Sequence, residues 1–253
     1  MTLLVTGANG FVGRVLCRTA QARGFQVCAA VRRPASTEAE ASIPQVVVGE
    51  VHGATDWHEA LEGCESVIHL AALAHKPLGS DAQAHARLHA TNVEGALRLA
   101  SQAADAGVRR LVFLSSIKAW GEVTQAGHPA REDDPCHPED AYGRSKLQAE
   151  QAMRALATQR GLELVIVRAP LVYGPGVKAN FAALVRAVNA GWPLPLGAVS
   201  NARSLVALDN LVDFLLCCAS HPCAAGEVFN VSDGADLSTA DLVRILAATA
   251  GRP

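Results

Sequence analysis

Up to about residue 169, short apolar runs alternate with longer stretches in which apolar residues recur every three or four positions. Runs that are apolar throughout read as strands buried on both faces, and the stretches between them as amphipathic helices. Such alternation predicts an α/β fold on a parallel sheet. The predicted strands are Leu3–Thr6, Gln26–Val31, Gln45–Val48, Ser66–Ala71, Arg110–Leu114 and Leu162–Arg168. The predicted helices are Phe11–Arg23 (stopped by Gly24), Trp57–Leu61, Ala84–Ala106 (closed by Gly107) and Ala141–Arg160 (ended by Gly161). A long polar loop through Glu132-Asp133-Asp134-Pro135 and His137-Pro138 precedes the last of these. From Pro170 onward, Pro, Gly and short segments break the alternation. Helices are predicted there at Phe181–Ala190, Asn210–Ala219 and Ser238–Ala248, with a short strand at Glu227–Val231. The expected division is therefore a larger unit over residues 1–169 and a smaller cap over 170–253 that is interleaved with the sheet, without internal repeats.

The turn between the first strand and the first helix reads Thr6-Gly7-Ala8-Asn9-Gly10-Phe11-Val12-Gly13. A glycine at 7 permits a tight turn, one at 10 lets backbone approach a pyrophosphate, and one at 13 packs helix against strand. The N–H groups of the helix start then face the phosphates. Glycines alone collect in any turn, but a strand before and a helix after are the context such a loop requires. This points to a Rossmann-type, doubly wound dinucleotide-binding sheet. At the end of the second strand, where an acidic residue would hold the ribose of NAD, the chain has Arg32-Arg33-Pro34. Two guanidiniums there suit a 2′-phosphate, which favours NADP slightly over NAD. They would also serve to stack on adenine, or simply form a solvated strand end. His69-Leu70-Ala71-Ala72 ends the fourth strand with small residues that let a cofactor pass close to backbone. His69 itself reads as a buried structural residue. Asn92, on the long helix, either reaches the site or hydrogen-bonds within the core.

Tyr142 and Lys146 stand four apart and hence on one helix face. An ammonium near a phenol stabilises the phenolate, so the tyrosine is expected to titrate below its ordinary value and to serve as general acid and base. Ser115 and Ser116 follow the fifth strand, at the sheet edge where ligands of such folds bind, and the Ser116 hydroxyl suits a substrate oxygen. A Tyr-x-x-x-Lys pair alone is commonplace on surface helices. With the glycine loop ahead of it and the serines before it, chance explains it poorly.

Composition narrows the function classes. Of 253 residues, 22 are basic and 24 acidic, giving a net charge of -2, and no basic stripe argues for nucleic acid or an anionic membrane. Half of the residues are hydrophobic, as in ordinary globular enzymes. No apolar run approaches the roughly 18 residues of a membrane span. Met1 runs directly into the first strand without the basic start of a signal peptide, so the expected compartment is the cytoplasm. Seven cysteines lack a C-x-x-C pair and lie mostly in apolar contexts, as small buried hydrophobes do. The nine histidines show no ligand spacing, and no metal is expected.

Taken in order, Thr6-Gly-x-x-Gly-x-x-Gly13, His69-Leu-Ala-Ala72, Asn92-Val-x-Gly95, Ser115-Ser116, Tyr142-x-x-x-Lys146 and Arg168-Ala-Pro-Leu-Val-Tyr-Gly-Pro175 resemble the extended short-chain dehydrogenase/reductase superfamily. Ser115-Ser-Ile-Lys-Ala-Trp-Gly-Glu122, Gly176–Phe181, Leu194-Pro-Leu-Gly197 and Asn201-x-Arg-Ser-Leu205 are most similar to its nucleotide-sugar epimerases of the UDP-glucose 4-epimerase type. That resemblance implies NAD(P) lined by Gly7, Asn9, Gly10, Phe11, Val12, Gly13, Arg32, Arg33, Leu70, Ala71, Ala72, Asn92, Ser115, Tyr142 and Lys146, with Pro170 and Val172 bordering the nicotinamide. It implies a nucleotide-diphosphate sugar held by Ser116, Asn180 and Arg203, and a homodimer formed through the Asn92 and Tyr142 helices, with Leu147 and Met153 as candidate contacts. A surface ion pair is the plainer reading of Arg203. Departures are Arg32 and Arg33 in place of an acid, Trp120 where tyrosine is common, and an end at Ala250-Gly251-Arg252-Pro253. Relatives usually continue further, so part of the sugar pocket is expected outside these residues.

The implied activity is C4 epimerisation of a UDP-hexose through a 4-keto intermediate. The alternatives are NADPH-dependent reduction of a 4-keto sugar or similar carbonyl, and a non-catalytic dinucleotide sensor, which would have no need of Ser116, Tyr142 and Lys146. A sugar 4,6-dehydratase is not expected: the Asp-Glu pair that follows the catalytic Ser or Thr in such enzymes is here Ile117-Lys118, and Glu122 should point away along the loop.

Overall fold

The computed structural model describes residues 1–34, 43–74, 82–125, 127–192, 194–196, 199 and 201–251. Gly197, Arg252 and Pro253 of the motifs above lie outside them. The described chain forms two compact units, residues 1–169 with 212–230, and 170–211 with 231–253. The segment 212–230 belongs to the first unit, so the two units are interleaved along the chain.

In the first unit the strands are β1 (Thr2–Thr6), β2 (Gln26–Val31), β3 (Gln45–Val47), β4 (Ser66–His69), β5 (Arg110–Ser116), β6 (Glu163–Ala169) and β9 (Val228–Asn230). They lie in the order β3-β2-β1-β4-β5-β6-β9, all parallel. The order reverses between β1 and β4, and a crevice opens at the carboxyl ends of strands around such a point. Leu3, Leu4, Val67, Ile68, Leu111, Val112, Val165 and Val167 are buried, as uniformly apolar strands covered on both faces should be.

The helices that position the site are α1 (Phe11–Ala22), α3 (Ala82–His89), α4 (Gly95–Asp105) and α5 (Ala141–Arg160), with the short α2 (His58–Leu61) beside them. Asp140 caps α5, its carboxylate accepting from Gly143 N at 2.6 Å, and Gly161 ends it in the left-handed conformation at φ +70°. Met153 and Ala149 on α5 are fully buried in the core with Leu99 and Ala103 of α4. Met153 therefore faces inward and is not available to a partner, while Leu147 is half-buried. Three of the cysteines (Cys17, Cys64, Cys218) are buried as read, but Cys217 and Cys223 are exposed.

This unit departs from the sequence pattern in its element boundaries, and β4 stops at His69, two residues short of the predicted Ala71. The predicted long helix is broken between α3 and α4 by a π-helical turn at Ala90–Glu94, and β5 runs two residues further, to Ser116. The segment 212–230 is held to the sheet by buried Arg110, which donates to Cys218 O (3.0 Å) and His221 O (2.6 Å) and pairs with Glu163 at 2.6 Å.

The second unit contains a parallel pair, β7 (Leu171–Tyr173) and β8 (Leu205–Ala207), which the pattern missed because each strand has only three residues. Asp233 gathers it: its carboxylate accepts from Tyr173 Oη (2.8 Å), Ala207 N (2.9 Å) and Asn210 Nδ2 (2.8 Å). Helices α6 (Ala179–Asn189) and α8 (Thr239–Thr249, capped by Ser238) belong here, and α7 (Leu208–Ser220) spans the division between the units. No described helix is long and apolar enough to cross a membrane.

Candidate active site

The glycine loop is as tight as its sequence requires. Gly7 has φ +66°, and a Cβ there would fall 2.9 Å from both Leu70 C and Ala71 N at the end of β4. A Cβ on Gly13 would run into Gly7 O and come within 2.8 Å of Ala8 Cα. Gly10 caps α1 in an extended conformation, with no side chain capping the first turn and no acidic residue in it. Asn9 and Gly10 are exposed, while Phe11 and Val12 are half-buried. Uncapped N–H groups at a helix start, reached across bare backbone, are what a pyrophosphate needs. The residues present therefore fit a dinucleotide.

At the end of β4, Thr6 Oγ1 accepts from Leu70 N and Ala71 N, both at 3.2 Å, and lies 2.7 Å from His69 Nδ1. With both lone pairs used, the hydroxyl donates to Nδ1. His69 is then neutral with its proton on Nε2, which has no partner among the described residues. Burial, with Lys146 nearby, drops the imidazole to about 3. His69 is thus structural: it anchors the loop of Leu70, Ala71 and Ala72 and stacks on Phe113 at 5.7 Å.

Asn92 hydrogen-bonds within the core. Within the π turn its Oδ1 accepts from Leu73 N (2.8 Å), and its Nδ2 donates to Leu73 O (3.2 Å) and to Ser145 Oγ (3.0 Å). It ties the strand exit that would pass the cofactor to the helix that carries Tyr142.

Lys146 is buried, with Nζ donating to Leu114 O at 2.8 Å and lying 4.2 Å from the centre of the Phe113 ring. Burial lowers its ammonium to about 7, against the upward pull of Glu150. Tyr142, one turn earlier and half-buried, departs from expectation. Its phenol is raised to about 12, by burial first and then by the Asp140 carboxylate, with Lys118 pulling it down. Lys146 is engaged with Leu114 O and does not supply the lowering that the spacing suggested. Ser116 ends β5, and its Oγ accepts from Lys118 N at 3.2 Å.

Two charged groups near this site escaped the sequence reading. Glu150, one turn beyond Lys146, accepts from Ser115 Oγ (2.5 Å) and from Arg168 Nη2 (2.7 Å), all three side chains being buried. Lys118 bridges Asp140 Oδ2 (2.7 Å) and Glu122 Oε1 (2.8 Å), so Glu122 turns back onto the turn and not away along the loop. The i+4 spacing of Lys146 and Glu150 was the available signal for the first. Nothing local marked Asp140, 22 residues from Lys118.

Arg32 is exposed and pairs with Glu50 at 3.2 Å, and Arg33 is exposed. In the second unit lie Pro170, Val172, Asn180 and Arg203. Pro170 and Val172 are half-buried, and Asn180 is exposed near the start of α6. Arg203 pairs its backbone with Leu237 (2.9 Å), and its guanidinium makes no ion pair among the described residues.

The sequence pattern of the NAD dependent epimerase/dehydratase family matches residues 3–232. The chain belongs to that family. It is similar to the UDP-glucose 4-epimerase of Vibrio cholerae, with 42% identity over 253 residues that cover all of this chain and 76% of the relative. The fold matches MoeE5 solved with UDP-glucose and NAD at a TM-score of 0.83 and 30% identity, covering 100% of this chain and 83% of that one. The UDP-glucose 4-epimerase of Thermotoga maritima, solved with UDP-glucose, matches at 0.82 and 25% identity, over 99% and 83% of the two chains. This family member is an NAD-dependent enzyme of the extended short-chain dehydrogenase/reductase type, which sets the sensor reading aside.

Proposed function

We propose that the enzyme is a nucleotide-sugar epimerase that inverts C4 of a UDP-hexose through a 4-keto intermediate. The observation that carries this reading is the convergence of Ser116, Tyr142 and Lys146 where β5 ends and α5 begins, in the same unit as an uncapped glycine loop. The likeness to UDP-glucose 4-epimerases supports the substrate class.

A dinucleotide held over the glycine loop of Gly7, Gly10 and Gly13 would supply a reversible hydride acceptor for C4. Tyr142 takes the proton of the 4-hydroxyl and gives it back when the carbon is re-reduced. Ser116 holds the 4-oxygen, and Lys146 holds the nicotinamide ribose. The ground state of Tyr142 opposes this, because burial and Asp140 hold its proton on. A cation beside the oxygen is needed, and among the described residues Lys146 and Lys118 are the ammonium groups that this part of the fold supplies. Arg203 meets the substrate diphosphate, Asn180 the sugar-phosphate portion, and Pro170 and Val172 the nicotinamide.

Arg32 and Arg33 favour a second reading, NADPH-dependent reduction of a 4-keto sugar, since they suit a 2′-phosphate and no acid replaces them at the end of β2. For the same reason we take NADP to be accepted at least as well as NAD. A homodimer through the α4 and α5 helices rests on family likeness and on Leu147 alone of the two contacts considered; a monomer in light scattering removes it. The test of the central role is Tyr142→Phe. It should abolish conversion of UDP-glucose while leaving NAD binding near the parent value, and undiminished conversion would overturn the assignment.

A further inference from the structure

We propose that Lys118, clamped between Asp140 and Glu122, is a positioning residue that governs how readily Tyr142 releases its phenolic proton. The proposal rests on Tyr142 being the base of the reaction. It starts from the short helical turn Ile117–Ala119, which follows Ser116 directly and is capped by the Ser116 hydroxyl. That turn is seated on the first turn of α5: a Cβ on Gly143 would collide with Lys118 O, so only glycine lets the two backbones meet there.

The seating brings Lys118 Nζ to 2.7 Å from Asp140 Oδ2 and 2.8 Å from Glu122 Oε1. The other oxygen of Asp140 accepts from Gly143 N at 2.6 Å. Asp140 therefore starts the helix and anchors the cation at once, with Tyr142 in the turn it caps. Among the described residues, the charged groups on the elements packed at Tyr142 can be named from each side. On its own helix they are Asp140, Arg144, which is exposed and turned to Glu139 O at 2.7 Å, and Lys146, which is engaged with Leu114 O. From the packed turn they are Lys118 and, behind it, Glu122. Asp140 holds the proton on the phenol, and Lys118 opposes it.

Two carboxylates occupy the ammonium of Lys118, so it is not a free anion site for the substrate. Its charge reaches the chemistry through Tyr142. Because Lys118 and Asp140 act on the phenol with opposite sign, removing one and then the other should move its titration in opposite directions.

The chain has two tyrosines, so a Tyr173→Phe background leaves Tyr142 as the only phenol. Its ionisation is then read from ultraviolet phenolate absorbance on the full chain, with circular dichroism confirming the fold at each pH. Loss of the signal on adding Tyr142→Phe assigns it. Asp140→Asn keeps an oxygen to cap Gly143 and should lower the midpoint by about one pH unit, in line with a single nearby charge at a partly exposed site. Adding Lys118→Met to that variant should raise it again by a comparable amount, whereas adding Lys118→Arg should leave it in place. A midpoint in Asp140→Asn that is unchanged or higher, or one that Lys118→Met does not raise, overturns the proposal. The titration needs no turnover, so its failure is separate from that of the epimerase reading, which Tyr142→Phe kinetics decide.

Discussion

Glu150→Gln should cost this protein about 3–5 kcal/mol, the range for breaking a buried ion pair while leaving one charge behind. Glu150 and Arg168 are 1% and 4% exposed. The carboxylate takes Arg168 Nε at 3.1 and 3.2 Å, Arg168 Nη2 at 2.7 Å and Ser115 Oγ at 2.5 Å. Glutamine keeps the shape but turns an N–H₂ toward donors and removes the charge. Arg168 would keep one neutral amide oxygen, Glu132 O at 3.5 Å and Cys136 Sγ at 3.4 Å, none of them able to balance a buried guanidinium. Replacing both partners, as Glu150→Leu with Arg168→Met, should cost less than the single change, because no unpaired charge remains. Equilibrium urea unfolding followed by tryptophan fluorescence, with Trp57 fully buried beside the same core, measures each loss. A single-variant loss below about 1 kcal/mol, or a double variant as unstable as the single, would refute the reasoning.

Lys146 gives a pH signature. Its folded value near 7 lies below the ordinary lysine value, so above it the unfolded chain holds a proton the folded chain has released, and stability rises with pH. The window runs from about 7 to 9, beyond which the thiols of Cys17, Cys64 and Cys218, which burial pushes above the ordinary thiol range, act with opposite sign. Lys146→Met should flatten the rise of urea midpoints across that window, and an unaltered slope would contradict it. Arg203→Ala should raise KM for UDP-glucose with kcat nearly constant, since a diphosphate contact is mostly ground-state binding; equal KM values return Arg203 to an ordinary surface residue. Arg32→Ala with Arg33→Ala should weaken NADP more than NAD in calorimetric titration, and an equal fall would show that these arginines do not read the 2′-phosphate.

The parallel sheet was legible because each of its main strands is apolar on both faces, and the site because Gly7, Gly10, Gly13, Tyr142 and Lys146 are constrained by local geometry. A turn, a helix start and an i+4 spacing are properties of neighbouring residues. What escaped depends on contacts between distant ones. Asp140 meets Lys118 only because Gly143 lets a turn from β5 sit against α5, and Glu122 folds back for the same reason. The raised Tyr142 phenol follows from burial and from Asp140, and spacing reports neither. The π turn at Asn92 was hidden because its residues read as continuous helix, yet it is what brings that amide to Leu73 and Ser145. The β7–β8 pair was too short for any period to show.

The most direct test of the epimerase reading follows deuterium at C4. The full chain is incubated with NAD(P) and UDP-glucose deuterated at C4, and the products are examined by nuclear magnetic resonance. Hydride removed to the bound dinucleotide and returned to the opposite face predicts UDP-galactose that keeps the label on C4, with no net reduced dinucleotide in solution. Exchange of the label into solvent, accumulation of a keto sugar with one equivalent of reduced dinucleotide, or the absence of inversion would contradict it.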